Sequence, residues 1–235
     1  MRDNRTSVDA TSASPGPPLP AAIYATLKAQ ILGGHYPPGT KLGEEELAAQ
    51  FSISRTPLRA VLGRLAEDGL VRSYPRRGAY IAAYTTSDIL EILDIREVLE
   101  GLASRLAAVN MDRATLMELK ALFAVPEVRK MRKDPSVLAS ADQRFHAAIV
   151  GCTRNGRLRD LMAKLNDQMQ MVRMRTITLP GRLDASIREH QDLVSALTAG
   201  DPRVAEERAR RHIRNVRRAV LEHYRDPQST EEKRL

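Results

Sequence analysis

Tryptophan is absent from this 235-residue chain, phenylalanine occurs three times, and Cys152 is the only cysteine. A single thiol excludes an intramolecular disulfide framework and makes a reducing cytoplasm the natural compartment, with packing as the default role for Cys152. So few aromatics argue against the stacking platforms that grip single strands, which leaves duplex as the expected form of any nucleic-acid partner. No apolar run approaches the roughly 18 residues of a membrane span, so no membrane partner is expected. The opening MRDNRTSVDATSASPGPP carries charges but no apolar centre. It is therefore expected not to be a secretory signal, and its Ser, Thr, Pro and Gly describe a flexible arm over residues 1–17. No internal repeat is evident, and neither HExxH nor GxSxG occurs, which removes two common hydrolytic motifs.

Positive charge is present in excess. Lys plus Arg number 37 against 29 Asp plus Glu, a net charge of +8 that suits a polyanionic partner. PLPAAIYATLKAQILGG places Ile23, Leu27 and Ile31 at four-residue spacing before Gly33-Gly34, the pattern of an amphipathic helix with a C-terminal stop. After a turn at HYPPGTKL comes a short helix, GEEELAAQF, whose three acidic residues complement the helix dipole. FSIS breaks it. Ser54 is then an N-cap candidate, Pro57 falls in the first turn, and Leu58, Val61, Leu62 and Leu65 line one face up to about Asp68. Beyond Gly69 the period becomes extended, and LVRSYPRRGAYIAAY reads as a hairpin with a basic tip at Arg76-Arg77-Gly78. Two helices across a tight turn, followed by a basic hairpin, make a winged helix-turn-helix over residues 18–84. Six arginines against Glu67 and Asp68 between Ser52 and Gly78 add local positive charge. Arg55 and Arg59, one turn apart opposite the apolar stripe, suit bidentate contacts to guanine or phosphate.

The stretch PPGTKLGEEELAAQFSISRTPLRAVLGRLAEDGLVRSYPRRGAYI resembles the DNA-binding domain of the GntR family of bacterial transcription regulators, through SRTPLR, RLAEDGLV and RRG. The resemblance implies that Arg55, Thr56 and Arg59 contact DNA from the recognition helix. It further implies that Arg76, Arg77 and Gly78 bring the wing to the duplex. Glu45, where some relatives carry arginine, and Ala60, where they commonly carry glutamate, depart from the pattern and bear on which operator is read.

From residue 85 to about 226 the chain reads as helical, in an antiparallel bundle of about six helices, with a flexible tail over 227–235. Thr86 or Ser87 is the expected cap of the first, whose stripe runs through Ile89, Ile92, Leu93, Ile95, Leu99 and Leu102. MDRATLMELKALFA is a shorter helix. Others run from about Pro135 to Cys152, Leu158 to Thr176, Asp184 to Ala199 and Pro202 to Tyr224. ADQRFHAAIV puts Asp142 and His146 one turn apart on the side of Leu138, Phe145 and Ile149, although buried charge is costly unless paired or bound to metal. Taken alone, this pair reads as a hydrogen-bonded core couple. His190 beside Ile187, Leu193 and Val194, and His212 among Ala205, Ala209 and Val216, also point inward. One carboxylate and three imidazoles from three helices suit a divalent transition metal, zinc or nickel first, then manganese, cobalt or iron. Of the five histidines, His35 and His223 are poorly placed to join.

DQRFH, REHQDL and RRHIRN, with DIREVLEGLASRLAA, the Asn155 turn and AGDPRVAEERARRHI, resemble the all-helical FCD effector-binding domain of the FadR-like branch of the same family. The resemblance implies one metal per chain held by Asp142, His146, His190 and His212. Open metal positions together with arginine suit a small organic acid, for which Arg96, Arg173 and Arg182 are candidates by position; a surface or dimer-interface location is the default for each. A homodimer on an inverted-repeat operator is expected, since one recognition helix reads few bases. A structural or sensed metal is the alternative. A metal-dependent enzyme is the more distant one, since Glu189 sits beside a histidine rather than at the spacing of a general base.

Overall fold

A computed structural model describes residues 19–224; the expected N-terminal arm and C-terminal tail lie outside the described residues. The first unit comprises α1 (Pro20–Leu32), β1 (Lys41–Leu42), α2 (Glu44–Gln50), α3 (Arg55–Glu67), β2 (Val71–Tyr74) and β3 (Gly78–Ile81). The strands form an antiparallel sheet in the order β1-β3-β2, with Lys41 opposite Tyr80 and Tyr74 opposite Gly78. HYPPGTKL is expected only as a turn. Its last two residues add the third strand, too short for any alternation to register.

Ile23, Leu27 and Ile31 of α1 pack on Leu58, Val61, Leu62 and Leu65 of α3, closed by Leu70, Val71 and Ile81 of the sheet. Ser54 does occupy the N-cap of α3, but its side chain makes no capping bond. The wing turn runs through Arg76 at φ 62° and Gly78 at φ +96°. A Cβ at Gly78 would meet only Lys41 Cε, at 3.6 Å, so glycine is required there by the backbone angle rather than by crowding.

The second unit has seven helices: α4 (Thr86–Asn110), α5 (Arg113–Leu122), α6 (Val125–Lys133), α7 (Pro135–Gly151), α8 (Gly156–Ile177), α9 (Arg182–Ala199) and α10 (Pro202–Tyr224). The one not anticipated is α6. It buries only Val128 and Met131, its Val125 and Pro126 are exposed and the rest is charged, so its buried apolar signal is two residues long. The cap of α4 is Thr85, one residue before the expected pair: its side chain accepts from the Asp88 N–H while the Asp88 carboxylate accepts from the Thr85 N–H. Ile95 is likewise corrected, being 52% exposed. At 100° per residue it falls about 60° outside the arc centred on Ile92, Leu93 and Ala103, whereas Arg96 and Glu100 fall within that arc and are buried.

Helix α4 lies along α10 and touches α7, α8 and α9, so the bundle is built around it. Helix α8 also reaches the winged helix. Its Met171 joins that unit's core, Gln168 donates to the Asp68 carbonyl at 3.1 Å, and Asp167 is paired with Lys28 of α1. Gly69 is constrained by this junction, since at φ +80° a Cβ would lie 2.5 Å from Gln168 Nε2. Arg72 pairs with Asp88, and the Arg64 guanidinium lies 4.0 Å above the Tyr24 ring. Two of the six arginines counted toward a DNA face therefore make contacts elsewhere.

Candidate metal centre and nucleic-acid face

Helical spacing explains the inward turn of the four ligand-type side chains. Asp142 and His146 share the face of α7 that buries Leu138, Phe145 and Ile149. His190 lies between Ile187 and Leu193 on the inner face of α9, and His212 between Ala209 and Val216 on that of α10. All four are buried, and one ligand atom from each lies within 4.8 Å of the others. Asp142 Oδ1 stands 3.2 Å from His190 Nε2 and 3.5 Å from His146 Nε2, and the two Nε2 atoms are 3.4 Å apart. Metal–ligand bonds of about 2.1 Å give edges of roughly 3.0–3.4 Å between neighbouring ligand atoms, so these separations are of the size a transition-metal ion requires.

The surroundings prepare imidazoles to act as ligands. His146 Nδ1 is 2.8 Å from Glu100 Oε2, and His212 Nδ1 is 2.7 Å from Glu189 Oε2. A carboxylate on Nδ1 fixes the proton there and turns the Nε2 lone pair to the centre. Burial alone would raise both carboxyls. For Glu100 the charges of His146 and Arg96 outweigh it, and for Glu189 the hydrogen bonds from His212 and Arg182, so both are held well below the usual carboxylate range. Burial, then the neighbouring imidazole charge, pushes His190 far below its ordinary value and His212 down to about 3. Near neutral pH both are uncharged, as metal ligation needs. Phe123 stacks on His190 with centroids 4.8 Å apart, which fixes the ring further.

Sequence position left Arg96, Arg173 and Arg182 with a surface or interface default, and all three are instead buried around this cluster. Arg96 pairs with Glu100 one turn along α4. Arg182 donates to both oxygens of Glu189, at 3.1 and 2.9 Å, and to Ser186 Oγ at 2.6 Å. Arg173 of α8 is ion-paired through Nη1 with the Asp142 carboxylate, while its Nε and Nη2 make no hydrogen bond. Burial, reinforced by the Arg96 charge, lowers its pKa to about 9. Arg96, Asp142, Arg173, Thr176, Arg182 and His212 line one small cavity. Glu100 and Glu189 were not among the expected site residues. The signal for Glu100 was its place in the buried arc of α4; that for Glu189 was only its adjacency to His190.

On the winged helix, Arg55, Thr56 and Arg59 are exposed along the N-terminal half of α3, and Arg76, Arg77 and Gly78 form the wing tip. All except Thr56 line one concave face with Lys41. The same face holds the acidic first turn of α2, for which the sequence pattern offers no partners. Arg55 is ion-paired with Glu45, and Arg59 Nε donates to Glu44 Oε2 at 2.8 Å.

Comparison with known proteins agrees with both halves of this architecture. Residues 19–81 match the bacterial regulatory proteins, gntR family, and residues 91–215 match the FCD domain. The probable D-xylose utilization operon transcriptional repressor of Paenarthrobacter nicotinovorans is 33% identical over 78% of this chain and 80% of its own length. The uncharacterized HTH-type transcriptional regulator YdhC of Bacillus subtilis (strain 168) is 29% identical over 86% of each chain. In fold, the solved structure of E. coli McbR/YncC superposes with a TM-score of 0.71 at 23% identity, covering 88% of this chain and 99% of that one. A winged helix joined to an FCD bundle, with both family models matched and a transcriptional repressor 33% identical over most of its length, places the chain in the GntR family as a DNA-binding transcriptional regulator.

Proposed function

We propose that this regulator binds an inverted-repeat operator as a homodimer, through Arg55, Thr56 and Arg59 of α3 and Arg76, Arg77 and Gly78 of the wing. Asp142, His146, His190 and His212 hold one divalent transition metal, zinc or nickel ahead of manganese, cobalt and iron. A small organic acid bound beside them sets operator affinity. The observation that carries the effector reading is Arg173, a buried guanidinium whose Nη1 is paired with Asp142 while its Nε and Nη2 find no acceptor. Leaving those two donors unmet costs free energy that an incoming carboxylate recovers through bidentate bonds.

The bound metal would supply a Lewis-acidic point for one carboxylate oxygen. The protein's own residues do the rest. Glu100 and Glu189 orient His146 and His212, Arg182 is held by Glu189 at the cavity wall, and Asp142 faces the imidazoles through Oδ1 and Arg173 through Oδ2. An acid that engages Arg173 redistributes its contact with Asp142 and loads α8. The same helix meets Lys28 and Asp68 of the winged helix through Asp167 and Gln168, so a displacement of α8 is a displacement of the reading head. The reading is tested by elemental analysis of purified protein, followed by thermal-shift screening of hydroxy, keto, dicarboxylic and sugar acids against wild type and Arg173→Ala. Expected are about one metal ion per chain and an acid whose stabilisation disappears in the variant. Metal-free protein, or stabilisation that survives loss of Arg173, contradicts it.

A further inference from the structure

Carboxylates are an unexpected component of a surface meant to approach a polyanion. The concave face between α3 and the wing holds five cations, Lys41, Arg55, Arg59, Arg76 and Arg77, and three carboxylates, Glu44, Glu45 and Glu46. Two of the three engage the arginines of the recognition helix, and they do so from different depths. The Glu44 side chain is 26% exposed and accepts from Arg59 Nε, leaving both terminal nitrogens of that guanidinium available for a bidentate contact. The Glu45 side chain is 78% exposed, at the first turn of α2, and is paired with Arg55, itself 59% exposed.

We propose that Glu45 is a specificity-determining residue of the DNA interface, penalising duplexes that offer it no exocyclic amine, and that Glu44 is a positioning residue that presents Arg59 to the bases. Bringing the Glu45 carboxylate into a groove flanked by phosphates is repulsive for every sequence. The repulsion is offset only where a donor meets the carboxylate, and in the major groove that donor is the amino group of cytosine or adenine. Non-specific binding, which is electrostatic and indifferent to sequence, suffers the repulsion in full. Glu45 thus lowers overall affinity while widening the gap between operator and bulk DNA. Glu44, less exposed and bonded to the Nε edge, restricts Arg59 to orientations in which its other edge faces outward.

This inference rests on the reading that α3 faces duplex DNA, and Arg59→Ala tests that reading separately. Full-length protein is used to select sites from a randomised duplex library. The selected duplex and a shuffled one of equal length are then titrated at fixed salt against wild type, Glu45→Gln, Glu44→Ala and Glu44→Gln. The side chains of Glu44 and Glu45 contact only the α3 surface arginines in the interactions described above, and unfolding curves confirm that each variant is folded. Glu45→Gln should bind the shuffled duplex more tightly, narrow the ratio of selected to shuffled affinity by about five-fold or more, and relax base preference at one position on repeating the selection. Glu44→Ala should weaken the selected duplex in the wild-type background but not in Arg59→Ala, and Glu44→Gln, whose amide oxygen still accepts from Nε, should restore it. An unchanged or widened ratio for Glu45→Gln overturns the role of Glu45. A Glu44→Ala loss that persists without Arg59 overturns that of Glu44. If Arg59→Ala leaves selected-duplex affinity intact, the assignment of α3 to DNA fails instead.

Discussion

Arginine–glutamate pairs occur at both ends of this molecule, and their surroundings give them opposite properties. On the winged helix, the side chains of Arg55 and Arg59 are 59% and 66% exposed, so their pairs with Glu45 and Glu44 are screened and contribute at most about 1 kcal/mol each. In the bundle, the Arg96 and Glu100 side chains are 3% and 1% exposed, and removing either partner strands a buried charge at about 3–5 kcal/mol. The exposed pairs can exchange partners with DNA at little cost. The buried ones are fixed scaffolding that holds imidazoles in place. One chemistry therefore serves as a changeable contact surface and as a permanent frame, and depth decides which.

That contrast can be broken in several places, beginning with the largest effect. His190→Ala or His212→Ala removes one of the four proposed ligands outright, and stoichiometric metal should be lost from purified protein while the winged-helix core of Ile23, Leu27 and Leu58 stays folded. Metal content and circular dichroism check both halves. Glu100→Gln tests the frame: it weakens the orienting contact to His146 Nδ1 and leaves Arg96 without its counter-charge. Metal affinity should drop by about 10- to 100-fold in competition with a chelator, and the unfolding midpoint should fall as well. Arg59→Ala tests the changeable surface. Operator affinity should weaken by roughly 1–3 kcal/mol, measured by gel shift at fixed salt, with no change in metal content.

How much of this was legible before the fold varies with the range of the contact involved. The cluster of four ligand-type side chains was readable because a 3.6-residue period places Asp142, His146, His190 and His212 on faces already marked by Leu138, Phe145, Ile187 and Val216. The winged helix was readable for the same reason, with its short motifs adding the hairpin. Glu100 and Glu189 were not, since their meaning comes from partners 46 and 23 residues away on other helices. The burial of Arg96, Arg173 and Arg182 escaped because periodicity gives a direction around one helix but not the depth of what packs against it. Helix α6 was missed for lack of apolar residues, and the Asp167–Lys28 junction because it joins positions 139 apart.

A subtler effect concerns acid. In metal-free protein His190 and His212 are depressed by burial, so their folded forms bind fewer protons than the unfolded chain at mildly acidic pH. A depressed folded-state pKa contributes full stability above the unfolded value of about 6.5, and that stability is lost progressively as pH falls below it. The unfolding midpoint of chelator-treated wild type should therefore drop by several degrees, roughly, between pH 7 and pH 5. The same scan on His190→Ala should be flatter. A wild-type curve as flat as that of the variant would show that these imidazoles are already charged in the folded protein.

The central claim is that the bundle and the reading head share one equilibrium through α8. It is tested most directly by calorimetric titration of the screened organic acid into metal-loaded protein, with and without the selected operator duplex. An effector shifts the DNA equilibrium only by its difference in affinity for the two forms, commonly about 1–3 kcal/mol, and the operator must alter effector affinity by the same factor. The expected result is a dissociation constant that changes about 5- to 150-fold when operator is present, matched by the same fold-change in operator affinity when acid is present. Identical acid affinities in the two titrations would contradict it, leaving the acid bound beside Arg173 without any part in switching.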